Sequence, residues 1–107
     1  MNSALPPLEN RVGCIGAAME VIGQKWTALL LRDLSYGPKR FRDFTESVPE
    51  LNPRTLSSRL DDLAEQGIIE TCAEGGYQLT HKGEALIPVL RAMAEWGDKW
   101  VLEKKTT

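Results

Sequence analysis

The sequence predicts a mainly α-helical fold with one small β-hairpin, and three observations carry that expectation. A mid-chain segment, Leu51 to Ile69, has a readable helix start, an apolar stripe and a stop. The half of the chain before it reads as helices by its apolar spacing. Directly after it, two β-prone runs flank a turn with two glycines, and a long amphipathic segment closes the chain.

In chain order, Pro6 and Pro7 favour an extended arm, so residues 1–12 read as an arm and 13–107 as one domain. Val12 to Ile22 reads as a short helix with Cys14, Ala18 and Val21 on one face, ending near Gly23. A second helix, about Gln24 to Tyr36, carries Trp26, Leu29, Leu30, Leu31 and Leu34 and is expected to be the core spine. Gly37-Pro38 breaks it, and Lys39-Arg40-Phe41 is short and extended at most. A third helix, about Arg42 to Val48, turns Phe41, Phe44 and Val48 inward before Pro49 stops it.

The mid-chain helix, about residues 53–66, is the best defined. The Asn52 side chain can accept from amides of the first turn, and Pro53 fits the first helical position, where a missing N–H costs nothing. Leu51 and Leu56 are spaced as a hydrophobic staple. Leu56, Leu60 and Leu63 form one inward stripe, and Gly67 supplies the stop. At ~100° per residue, the opposite side carries Arg54, Thr55, Ser58, Arg59 and Asp62. Two guanidiniums among small hydroxyls suit a nucleic-acid groove, since arginine bridges guanine edges or phosphates while Ser and Thr donate without bulk. An ordinary solvated face is the plain alternative. The third and fourth helices, joined only by Pro49-Glu50-Leu51-Asn52, make a helix-turn-helix arrangement.

Ile68 to Cys72 and Tyr77 to Leu79, around Ala73-Glu74-Gly75-Gly76, read as a hairpin over about 68–79. A helix-turn-helix followed by a hairpin is a winged helix. Thr80 then caps a long final helix, about 81–103, kinked by Pro88. Its apolar arc is wider than one core needs, and Gly97 leaves room for another backbone. Leu90, Met93, Trp96, Gly97 and Trp100 are therefore read as a dimer interface, built with the N-terminal helix; an arm folded back over this face is the alternative.

A chain of 107 residues holds one core with little surplus. The N-terminus has neither a basic start nor an apolar h-region, and no run approaches the ~18 apolar residues of a membrane span, so a cytoplasmic location is expected. The net charge of −2 argues against bulk electrostatic binding of nucleic acid, but the positive charge is local: Lys39, Arg40, Arg42, Arg54 and Arg59 fall between residues 37 and 60. Two cysteines and one histidine offer no metal-ligand spacing, and no cofactor motif or catalytic pair stands out, so neither metal, cofactor nor enzyme activity is expected.

Four motifs in order, Glu20-Val21-Ile22-Gly23-Gln24-Lys25-Trp26-Thr27, Leu56-Ser57-Ser58-Arg59-Leu60 with Leu63 and Gly67-Ile68-Ile69, Tyr77-Gln78-Leu79-Thr80 with Gly83, and Ala94-Glu95-Trp96-Gly97, resemble the HxlR-type bacterial transcription regulators, relatives of the MarR type. The resemblance runs from about residue 13 to 100. It implies a homodimeric winged-helix regulator on a palindromic operator in double-stranded DNA, often one sensing electrophiles or oxidants through an N-terminal cysteine. In the family's pattern that cysteine precedes a proline; here Cys14 stands where the proline would be and Gly13 where the thiol would be. The hairpin is also shorter than the family's and carries Glu74 but no Lys or Arg, so it is expected to add little phosphate attraction.

The candidate DNA-binding residues are Arg54, Thr55 and Ser58 for base edges or nearby phosphates, with Asn52 and Pro53 at the helix start. Arg59, at the rim of the stripe, reads the same groove or pairs with Asp62 or Asp43. Lys39, Arg40 and Arg42 are placed at the start of the third helix to meet phosphates, against a reading as plain surface charge. Cys14, near a helix N-terminus, is the redox candidate, against a reading as a small buried apolar side chain; Cys72 reads as structural. A small-molecule effector fits the family pattern. A winged helix that binds proteins instead of DNA is the alternative function, favoured by the acidic balance and the acidic wing.

Overall fold

The computed structural model describes residues 7–102, in the order α1 (Val12–Ile22), α2 (Lys25–Leu34), α3 (Phe41–Ser47), α4 (Pro53–Glu65), β1 (Ile69–Thr71), β2 (Tyr77–Leu79), α5 (His81–Glu84) and α6 (Ile87–Gly97). A 3-10 turn, Glu9–Arg11, precedes α1, and a π-helical segment, Asp98–Leu102, continues α6. Pro6 and Glu103 lie outside the described residues.

The core gathers where apolar side chains from three helices meet the hairpin. Leu30, Leu31 and Leu34 of α2, Phe44 of α3, and Leu56, Leu60 and Leu63 of α4 close on Ile68 and Ile69, and all are buried. At about 25 cal/mol per Å² of apolar surface, each fully buried leucine contributes roughly 2 kcal/mol to holding α4 in place. Val48 and Leu51, on either side of the tight connection, are buried in the same cluster. Trp26 and Leu29 are half-buried against the same cluster, so α2 is the spine that its composition suggests.

The expected start and stop of α4 are both present. Asn52 Oδ1 accepts from the Thr55 amide at 2.8 Å, Pro53 opens the helix, and Gly67 adopts φ +76°, a conformation that lets the chain leave the helix without a Cβ clash. The hairpin is antiparallel, with Ile69 opposite Leu79, Glu70 opposite Gln78 and Thr71 opposite Tyr77. Lys39 joins its outer side: the Lys39 amide donates to the Tyr77 carbonyl at 2.9 Å and the Tyr77 amide donates back at 2.8 Å.

Four expectations need correction. The last long helix is not one kinked rod. At Ala85–Leu86 the chain tightens into a turn, the Leu86 amide donating to the Gly83 carbonyl at 3.0 Å, and α6 begins beyond it with Pro88 in the first turn, where no intrahelical N–H bond is forfeited. Phe41, the first residue of α3, is 36% exposed and lies outside the core cluster. On α1 the reading of Cys14 as a small buried side chain does not hold: Cys14 is exposed, because only the last turn, with Val21 half-buried and Ile22 buried, reaches the core. Finally, Leu8 to Arg11 is not extended: the Arg11 amide donates to the Leu8 carbonyl at 2.8 Å and closes the 3-10 turn.

Candidate nucleic-acid interface

With its leucines sealed against the core, α4 turns its other side outward. Arg54 and Ser58 are exposed, Thr55 is half-buried with its amide engaged by Asn52, and Asn52 and Pro53 stand exposed at the helix start. Among the described residues Arg54 makes no ion pair, so its guanidinium is available to an outside acceptor. An α-helix with small side chains and one free arginine on this side fits a major groove of about 12 Å width.

Arg59 is placed differently. It is half-buried, its Nη1 lies 4.0 Å from Asp62 Oδ2 one turn on, and its Nε is buried without a partner. Of the two readings left open by the sequence, the geometry matches the pairing with Asp62.

Three contacts from the far side of the wing hold the C-terminal end of α4. Lys82 Nζ donates to the Gln66 carbonyl at 2.7 Å, and Thr80 Oγ1 lies 2.6 Å from the Gly67 carbonyl and 3.1 Å from that of Ile68. The same hydroxyl oxygen accepts from the Gly83 amide at 3.1 Å and caps α5. A cation on the Gln66 carbonyl and a hydroxyl on the Gly67 carbonyl satisfy acceptors at the helix end that would otherwise need water. No sequence signal marked Lys82 for this role, because its partner lies in another element.

The remaining basic residues split between two elements. Arg42, in the first turn of α3, and Arg40, its N-cap, are exposed, whereas Lys39 pairs with Tyr77 at the outer edge of the hairpin. Lys39 is half-buried and directs Nζ to the Gly37 carbonyl at 3.4 Å, so only part of its charge is free to meet a phosphate.

Away from this face, Met93, Trp96 and Trp100 are exposed on α6 and its continuation, at 46%, 61% and 53%. Leu90 is half-buried against the core, and nothing approaches the space a Cβ would take at Gly97. Leu8, Val12, Ile15 and Met19 add a second exposed apolar row at the N-terminal end. The arm that was the alternative cover falls partly outside the described residues; its described part, Pro7 to Arg11, is exposed and leaves Trp96 open. Arg32, Tyr36, Leu90 and Arg91 border an open groove of about 530 Å³ between α2 and α6. Cys14 is an exposed free thiol in the first turn of α1, and Cys72 is a half-buried one whose Sγ lies 3.6 Å from Gln78 Oε1. Among the described residues no three His, Cys, Asp or Glu side chains gather into a metal-ligand set, and no helix is long and apolar enough to cross a membrane.

Residues 21–105 match the family described as HxlR-like helix-turn-helix. The chain belongs to the HxlR family. Among curated relatives, the HTH-type transcriptional regulator YodB of Bacillus subtilis is 32% identical over 105 residues, covering 92% of this chain and 88% of its own. The quinone-bound crystal structure of YodB superposes with a TM-score of 0.75 at 35% identity, covering 80% of this chain and 96% of that one. The redox regulator HypR in its reduced form superposes at 0.74 with 32% identity, covering 84% and 97%. The resemblance read from the four motifs is thereby confirmed, and with it the fold, a helix-turn-helix followed by a two-stranded wing. This HxlR protein is a DNA-binding transcription regulator, and its family consists of regulators rather than enzymes.

Proposed function

We propose that the protein acts in the cytoplasm as a homodimer that reads a palindromic operator, each protomer placing α4 in one major groove. The observation that carries this reading is the pairing of a fully buried leucine stripe with an exposed, unpaired Arg54 on one capped helix. Arg54, Thr55 and Ser58 read base edges or adjacent phosphates, Asn52 and Pro53 bring the helix start to the backbone, and Lys39, Arg40 and Arg42 meet phosphates. Arg59 steadies α4 through Asp62 and contributes less to recognition. Met93, Trp96, Gly97 and Trp100, with Leu90 at their edge, form the face between protomers together with α1. A symmetric operator requires such a face, because two half-sites need two heads.

Response to oxidants or electrophiles belongs to the same reading. Support comes from relatives whose crystals hold a bound quinone or capture reduced and oxidised forms, and from the exposed thiol of Cys14. A small-molecule effector would find room in the groove between α2 and α6.

Selection of duplexes from a random pool, followed by titration of the winner at fixed salt, tests the proposal. The wild type should enrich a symmetric sequence, and Arg54→Ala should weaken it by about 1–3 kcal/mol and relax discrimination at one position per half-site. No enrichment, with no salt-dependent binding to bulk duplex, would favour the reading as a protein-binding module.

A further inference from the structure

We propose that Arg40, which comes from ahead of α3, is the phosphate-binding cation of the wing. The inference rests on the DNA-binding reading above and assigns to one residue a role that the hairpin cannot fill from its own sequence. Residues 68–79 contain Glu70 and Glu74 but no lysine or arginine. Such a hairpin, taken alone, repels the DNA backbone.

The tertiary structure brings in a cation. Because Lys39 pairs with Tyr77 through both backbone hydrogen bonds, the next residue lies alongside the turn that leads into β2. A Cβ built on Gly75 would be 3.6 Å from Arg40 Nη1, and one on Gly76 would be 3.5 Å from Arg40 Cγ and 2.9 Å from the Lys39 carbonyl oxygen. The Arg40 side chain therefore runs along the two glycines, and the absent Cβ of Gly76 lets the Lys39 backbone come close. Gly75, at φ +87°, also sets the turn itself. At the other end, the Arg40 amide donates to Asp43 Oδ2 at 2.8 Å, which fixes where the side chain starts.

Arg40 is exposed and makes no ion pair among the described residues, although Glu74 borders the same cleft of about 120 Å³. A guanidinium at the turn of a hairpin whose first strand packs against α4 can bridge two phosphate oxygens at a groove edge. The wing is thus a composite: the strands supply the shape and the segment before α3 supplies the charge.

Hydroxyl-radical footprinting on a duplex selected by the wild-type protein tests this, with thermal melting as a check that the variants fold. Arg40→Gln should remove protection at the outer edge of each half-site, keep the inner protection made by α4, and lower the log–log salt slope by about one unit per protomer. Adding Glu74→Arg to Arg40→Gln should restore the outer protection, since it returns a guanidinium to the same tip. Unchanged outer protection in Arg40→Gln, an equal loss of inner and outer protection, or no recovery in the double variant would overturn the proposal. If the wild type protects no duplex at all, the DNA reading itself fails and takes this assignment with it.

Discussion

Lys82 Nζ donates to the Gln66 carbonyl at 2.7 Å, and this bond ties the end of α4 to the helix that follows the wing. The cation meets the negative end of the α4 backbone dipole, so it contributes both as a hydrogen bond and as a charge. Lys82→Met should lower stability by about 0.5–1 kcal/mol and weaken operator binding more than the stability loss explains, because the end of α4 frays. Chemical denaturation and operator titration on the same variant measure the two effects; equal affinity would show that the tether does not position α4.

Gly83 gives a sharper test of the same junction. It is buried, and a Cβ there would run into the Ile68 carbonyl and meet Leu79 Cδ2 at 3.0 Å. The carbonyl is backbone and cannot swing aside, so Gly83→Ala should cost about 1–3 kcal/mol through overpacking. For a domain of this size that is a fall in melting temperature of roughly 4–8 °C per kcal/mol. A variant melting with the wild type would mean that the junction is looser than described.

The apolar face on α6 predicts a dimer. Trp96 is 61% exposed and Trp100 53%, large aromatic surfaces of the kind that anchor interfaces. Trp96→Ala should raise the dimer dissociation constant by more than tenfold while leaving the monomer fold intact, because Trp96 gives little to the core. Sedimentation across a concentration range reads this directly; a wild type that stays monomeric at high concentration would remove the two-headed reader.

Cys14 can be separated from Cys72. Cys14 is exposed and Cys72 half-buried, so mild oxidation should act at Cys14 first. Operator affinity of the wild type should change on treatment with a quinone or diamide, and Cys14→Ser should abolish that change. Equal responses in both proteins would eliminate this thiol as the switch.

Legibility followed locality. The cap at Asn52, the proline after it, the three leucines and the stop at Gly67 lie within one helix and its flanks, so the start, the buried side and the end of α4 were all readable. Arg59 was half-readable, since its pairing with Asp62 is one turn away but its burial depends on neighbouring elements. Pro88 misled because one residue type serves two roles: inside a helix it kinks, in a first turn it is neutral, and the choice was set by where α5 ends. Phe41 failed for a related reason. Periodicity tells which residues share a side, but not how far along its length an element touches the core.

The sequence by itself determined the helix-turn-helix, the hairpin and the family, because caps, apolar spacing and glycine stops act over one or two turns of chain. Only the tertiary structure decided that Lys82 and Thr80 hold the end of α4, that Gly83 packs under Ile68, and that Arg40 lies along the glycine turn of the wing. Each of those contacts joins residues from separate elements, and whether they meet depends on how leucines from α2 and α4 close around Ile68 and Ile69. Burial of that shared apolar surface fixes the distances, and no local rule encodes it.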